Sequence, residues 1–170
     1  MPVANPTPAF SDAPAAPATR AGHIPMATIG GIAAIIGVVI VFVGCALPYV
    51  HYSGDTGGQT ADPSVFNGGF PGAWGNAVEP VVVVLLALAA SIVVIAWPNR
   101  TARAFSSGAL VAMGVTTLGM FIAYIAAGSP FGHLEAGAFV GPIGAVVLLV
   151  GGLLAAGSLL MPQESRPIGL

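Results

Sequence analysis

Lysine is absent from this sequence and charge of either sign is scarce: four arginines and six carboxylates make up 6% of the 170 residues. No basic cluster exists that would neutralise several phosphates, which sets nucleic acid aside, and a net charge of -2 argues for no strongly charged partner. Cysteine is reduced to Cys45 alone, so no intramolecular disulfide can form and cysteine usage says nothing about redox compartment. Ionisable groups are also missing from the long apolar runs, apart from Glu79 at the mouth of the second. Pumps and ion-coupled transporters place such groups at membrane depth. Their lack disfavours transport by this chain alone, although an apolar, lipid-like cargo would need none. The interior polar groups include Thr28, Ser91, Thr116, Thr117, Tyr124 and Ser158.

What the chain has in quantity is apolar and small. Hydrophobic residues make up 56% of it, glycine occurs 24 times and the mean hydropathy is +0.93, far from an ordinary soluble domain. Residues 1–25, rich in Pro and Ala without an apolar period, read as a disordered cytoplasmic leader. Residues 26–161 then read as a transmembrane domain with spans at about 26–47, 77–97, 105–127 and 136–160, followed by a cytoplasmic tail, 162–170. Pro48, Pro98, Pro130 and Pro162 stand just beyond the four spans, where a missing amide donor ends a helix. Pro142 inside span four either bends its outer end or sits harmlessly near its start. The fold class expected is an all-α, four-transmembrane-helix bundle.

Orientation follows from the arginines. Arg20, Arg100, Arg103 and Arg166 all fall on one side of a four-span chain, and the other side carries Asp55, Asp62, Glu79 and Glu135 with no basic residue. The positive-inside rule then puts both termini and the 98–104 loop in the cytoplasm, in an inner (plasma) membrane. Tyr49, Tyr52, Trp74 and Trp97 fall near span ends and read as headgroup anchors. A competing reading starts from Phe42-Val43-Gly44-Cys45, which loosely resembles a lipoprotein cleavage box; cleavage would leave a lipidated Cys45 and three spans. The long leader, the long apolar run and Phe42 in place of a small aliphatic residue argue against it.

Small residues carry the most information inside the spans, because membrane helices associate where backbones can approach. Gly30, Gly37 and Gly44 recur at sevens on span one, and Gly137, Gly141, Gly144, Gly151 and Ala155 form one stripe on span four. Span three offers Gly108 with Ala112, then Gly119, Ala123 and Ala127. These stripes either close the bundle or turn one face to a partner subunit, and for the second role span four is the choice.

The outer loop, 48–76, has room for a small two-stranded cap from Pro48–Tyr52 and Ser64–Phe66, anchored by Val65, Phe66, Phe70 and Trp74. It is too short to bury a core of its own. His51, Asp55, Asp62, Glu79, His133 and Glu135 share the outer face, but no recognised metal or catalytic spacing joins them, so solvated loop side chains are the better account. No catalytic residue, cofactor or metal is assigned. Glu79 before Pro80 suits the first turn of a helix. Asn99-Arg100-Thr101 matches a glycosylation sequon on the wrong side of the membrane.

The Ala/Gly/Val-rich spans, the arginine-only basic set and segments such as GAFVGPIGAVVLLVGGLLAAG resemble the small four-span membrane proteins of actinobacteria. The order of a span, a longer outer loop with an aromatic-Gly-Trp segment and three further spans also resembles the claudin-like layout, without the paired cysteines or the Gly-Leu-Trp motif. In size and layout the chain is similar to the LucB-like accessory subunits of mycobacterial Mce lipid-import complexes. That similarity covers spans 1–4, rests on no diagnostic motif and transfers no functional residue. It implies a non-catalytic accessory subunit in a larger membrane complex that transports lipid or envelope cargo. A small homo-oligomeric transporter or pore, and an envelope enzyme built on the outer His and carboxylates, are the alternatives.

Overall fold

The computed structural model describes residues 25–52, 64–66, 78–128 and 132–161. The expected leader and tail, and the outer-loop residues Asp55, Asp62, Phe70 and Trp74, lie outside that description. Among these described residues four helices follow one another: α1 Met26–Ala46, α2 Val78–Ala96, α3 Arg100–Gly128 and α4 Gly137–Leu160. α1, α3 and α4 are long and apolar enough to cross a membrane, and α2 has a shorter apolar stretch, Pro80–Ala96.

Local chemistry sets the ends. Pro25 accepts the amides of Thr28 and Ile29 at the start of α1, and the chain turns extended at Leu47, just before Pro48. Pro80 occupies the first turn of α2, where its missing donor costs nothing. α3 begins at Arg100, ahead of the apolar run that opens at Phe105, because the Asn99 side chain caps it by accepting the Thr101 amide at 2.8 Å. Hydropathy registers where lipid-compatible residues begin; the cap decides where the helix begins. The sequon asparagine is therefore a capping residue. α4 runs through Pro142 without interruption.

Contact is most extensive between α1 and α4, next between α3 and α4, and weaker where α2 meets α1 and α3. The helices thus close a ring in the order α1, α4, α3, α2, with α2 held least firmly. Two clusters fill it. At one end Val41, Cys45, Tyr49, Val50, Val65, Phe121, Tyr124, Ala138 and Ala145 pack together; towards the other lie Ala27, Ala34, Val38, Ala87, Val94, Leu110, Leu148 and Ala155. Small residues dominate this interior, whereas Ile29, Ile36, Leu85, Leu86, Ile122, Ile143 and Leu153 point outward. Exposure of large apolar side chains all round a bundle is costly in water and costs little in lipid.

A two-residue ribbon crosses the end of the first cluster. Strand β1, Val50–His51, pairs antiparallel with β2, His133–Leu134, with Val50 opposite Leu134 and His51 opposite His133. The expected cap within the first outer loop is corrected here. Pro48–Tyr52 does contain a strand, but its partner comes from the second outer loop, and Ser64–Phe66 is a turn that packs onto the helix ends. Val65 is buried there, and the Phe66 ring lies 5.4 Å from that of Phe42 on α1. Of the expected loop anchors, Val65 and Phe66 are used by the bundle itself.

Candidate functional site

Among the described residues, three features carry chemistry or contact surface: the α1–α4 seam, the outward face of α3 and the ribbon end. In the seam, Gly30 and Gly37 stand against Gly151 and Gly144, and Gly44 stands against Gly141 with Gly137 beside its carbonyl, so the small residues of the two helices meet antiparallel. A methyl group added at Gly30 would lie 2.7 Å from the Gly151 carbonyl oxygen, and one at Gly151 would lie 2.7 Å from that of Gly30. At Gly37 it would lie 3.0 Å from the Gly144 oxygen, at Gly144 2.5 Å from the Val41 nitrogen, and at Gly137 3.1 Å from the Gly44 oxygen. Each collision is with backbone, which cannot move aside as a side chain can. A repeat of seven keeps two gently supercoiled helices in contact along their length.

The span-four stripe, offered by its sequence as the face for a partner, is therefore occupied by α1 and, on its flank, by α3. A methyl at Gly141 would overlap the Phe121 ring, and Gly152 sits against the backbone of Val111. Ala155 is buried against Gly30. Every α4 position proposed as a contact residue is consumed within the chain.

The opposite holds on α3. Gly108, Ala112, Thr116, Gly119 and Ala123 follow one another along the helix and are all exposed, and nothing lies within 4 Å of a methyl added at Gly108 or Gly119. The other α3 glycine of this region, Gly114, is pressed against Leu149 of α4. Two kinds of glycine thus alternate on one helix, and only the packing separates them.

At the ribbon end, His51 is half-buried, His133 exposed and Glu135 half-buried, with the Glu135 amide donating to the Tyr49 carbonyl at 3.0 Å. The ribbon brings His51 and His133 together across the two loops; Asp55 and Asp62 lie outside the described residues, as does the Glu79 side chain. No group of three or more His, Cys, Asp or Glu side chains fit to hold a metal ion is assembled among the described residues. Tyr49 is corrected from headgroup anchor to core residue: it is 2% exposed and its ring stacks on Tyr124 with centroids 5.5 Å apart. Burial pushes its phenol pKa up, helped by the phenols of Tyr52 and Tyr124, so it stays neutral throughout the working range of pH. Trp97, just past the end of α2, is more than half exposed.

Three serine hydroxyls are spent on their own helices. Ser91 donates to the Ala87 carbonyl at 2.7 Å, Ser107 to that of Arg103 at 2.7 Å and Ser158 to that of Ala155 at 2.6 Å. Among the described residues no buried side-chain polar atom lacks a partner. Cys45 is fully buried in the last turn of α1, among Tyr49 and Val41 and their neighbours. Arg100 donates to the Leu159 carbonyl at 2.6 Å and Arg103 to that of Trp97. Both arginines thus sit on the negative ends of neighbouring helices, a structural use that their count and side of the chain did not reveal. No protein-family model, curated protein or solved structure matches this chain.

Proposed function

We propose that this chain is a non-catalytic accessory or stabilising subunit of a larger membrane complex, most consistent with one that moves lipid or other envelope cargo. In this reading all four helices cross the inner membrane with both termini cytoplasmic. α2, with 19 residues, is about 28 Å long, within the span of a hydrocarbon core of roughly 30 Å. The arginines at 100 and 103, and those at 20 and 166, supply the direction.

The observation that carries the proposal is the outward face of α3. Small residues in lipid-facing positions gain little from lipid, whereas against another helix they permit close backbone approach, and a threonine such as Thr116 can bond across the contact. Every other glycine stripe is already filled by the chain itself. With Ser91, Ser107 and Ser158 bonded to their own helices and its core apolar, the bundle has helix surface to offer and little reactive chemistry.

Purification of the tagged chain in several mild detergents, with mass spectrometry of what co-elutes, tests this. A larger integral membrane protein is expected in fixed ratio with the wild type and is expected to be lost from Gly108→Leu/Gly119→Leu, which keeps its own fold. A chain that runs alone at monomer or homo-oligomer size throughout would refute the subunit reading, and leakage of a small solute from reconstituted vesicles would favour a pore. For orientation, a green fluorescent reporter fused after Leu170 is expected to fluoresce and a phosphatase reporter at the same place to stay inactive. The reverse pattern would overturn the topology.

A further inference from the structure

His51 and His133 are far apart in the sequence, yet the ribbon sets them directly opposite each other. Opposed residues of an antiparallel pair project from the same face with Cβ atoms about 4.5–5.5 Å apart, a separation over which two imidazoles converge on one point. The pair lies at the end of the bundle, His133 exposed and His51 half-buried, so a solute has access to it. The same two residues belong to the two loops that the ribbon holds together, the one leaving α1 and the one entering α4.

We propose that His51 and His133 form a two-imidazole site for a divalent transition-metal cation, which clasps the first outer loop to the second. Imidazole is a ligand of borderline softness, suited to Cu2+, Ni2+ and Zn2+ and a poor match for Mg2+ or Ca2+, which take oxygen. No third His, Cys, Asp or Glu joins the pair closely enough to complete a ligand group among the described residues. Water fills the remaining positions, which makes the site open and exchangeable, unlike a closed structural zinc centre. A tetragonal Cu2+ ion, content with two nitrogens and water oxygens, is the best-fitting probe. An imidazole ligates through one nitrogen and keeps the other for a neighbour that orients the ring, so His51 need not be free of other interactions. The inference stands on the ribbon register and is independent of the proposed partner on α3.

The test uses the full chain in detergent, purified through a tag without histidine and carrying His23→Gln so that the leader offers no imidazole. Cu2+ titration followed by electron paramagnetic resonance should show one ion per chain with two coordinated nitrogens. His51→Gln and His133→Gln should each weaken binding by about tenfold or more, at least the scale on which outer-shell partners of bound metals act, and should reduce the coordinated nitrogens to one. The nitrogen count is read on the unaltered ribbon, so it stands even if a substitution disturbs the loops. Binding with fewer than two nitrogens, a variant that binds Cu2+ as tightly as the unsubstituted chain, or no binding below millimolar Cu2+ would each overturn the proposal.

Discussion

Leucine in place of Gly37 or Gly144 is expected to prevent recovery of a folded bundle, while leucine at Gly119 leaves it intact. A new side chain in a packed core ordinarily costs about 1–3 kcal/mol, because neighbouring side chains shift to admit it. At Gly37 and Gly144 the neighbours are the Leu148 and Gly144 backbone on one helix and the Val41 and Ile40 backbone on the other. Relief therefore requires separating α1 from α4 along their whole seam, and the loss should exceed about 3 kcal/mol. At Gly119 nothing lies within 4 Å, so the change should stay within about 0.5 kcal/mol. Size-exclusion profiles and thermal unfolding in detergent read the difference. Equal behaviour of Gly37→Leu and Gly119→Leu would show that the seam is not where the bundle is held.

The second large effect is expected at Phe121. Its ring is 1% exposed, belongs to the ribbon-end cluster and rests on Gly141, where even a methyl group would overlap it. In a water-soluble core, Phe→Ala costs about 3–5 kcal/mol, part of it transfer to water and part the cavity left behind. For a helix that unfolds into lipid the transfer part largely vanishes, since lipid is as apolar as the core, and the lost packing remains. Phe121→Ala should therefore cost about 2–3 kcal/mol, whereas Phe105→Ala, at a ring 80% exposed, should cost about 0.5 kcal/mol or less. Gly141→Ala should also destabilise, but combined with Phe121→Ala it should cost less than the sum, because the methyl then occupies space the ring has vacated. A coupling of about 1 kcal/mol in that cycle is expected. Strict additivity would place the ring elsewhere.

The two predictions rest on features with different histories. The sevens of Gly30, Gly37 and Gly44 and the stripe on span four are visible as spacings alone, yet their mutual pairing is not. Gly108 and Gly119 look no different from Gly114 in a list of small residues, although the first two are open and the third is closed by Leu149. Phe105 and Phe121 share a helix and a residue type and differ almost completely in burial. Tyr49 follows directly after the proline that ends α1, which is where an interfacial ring belongs, and the fold turns it into the core instead. The sequence puts His51 and His133 on one face but gives no sign of their pairing, because a strand of two residues gives no alternation to read and its register depends on the distant partner loop.

The sequence by itself determined that the chain makes four apolar helices, where prolines and polar turns end them, which positions are small enough for backbone contact and how little ionisable chemistry there is. These are local properties, set by side-chain size, the missing proline donor and hydropathy. Only the tertiary structure decided that α1 and α4 spend their glycines on each other, that α3 keeps an open face, that β1 takes β2 as its partner and that His51 meets His133. In lipid the inner and outer faces of a helix are both apolar, so no solvent contrast marks the buried side. The choice falls to shape-matching between residues far apart in the chain, and that match exists only once the helices have met.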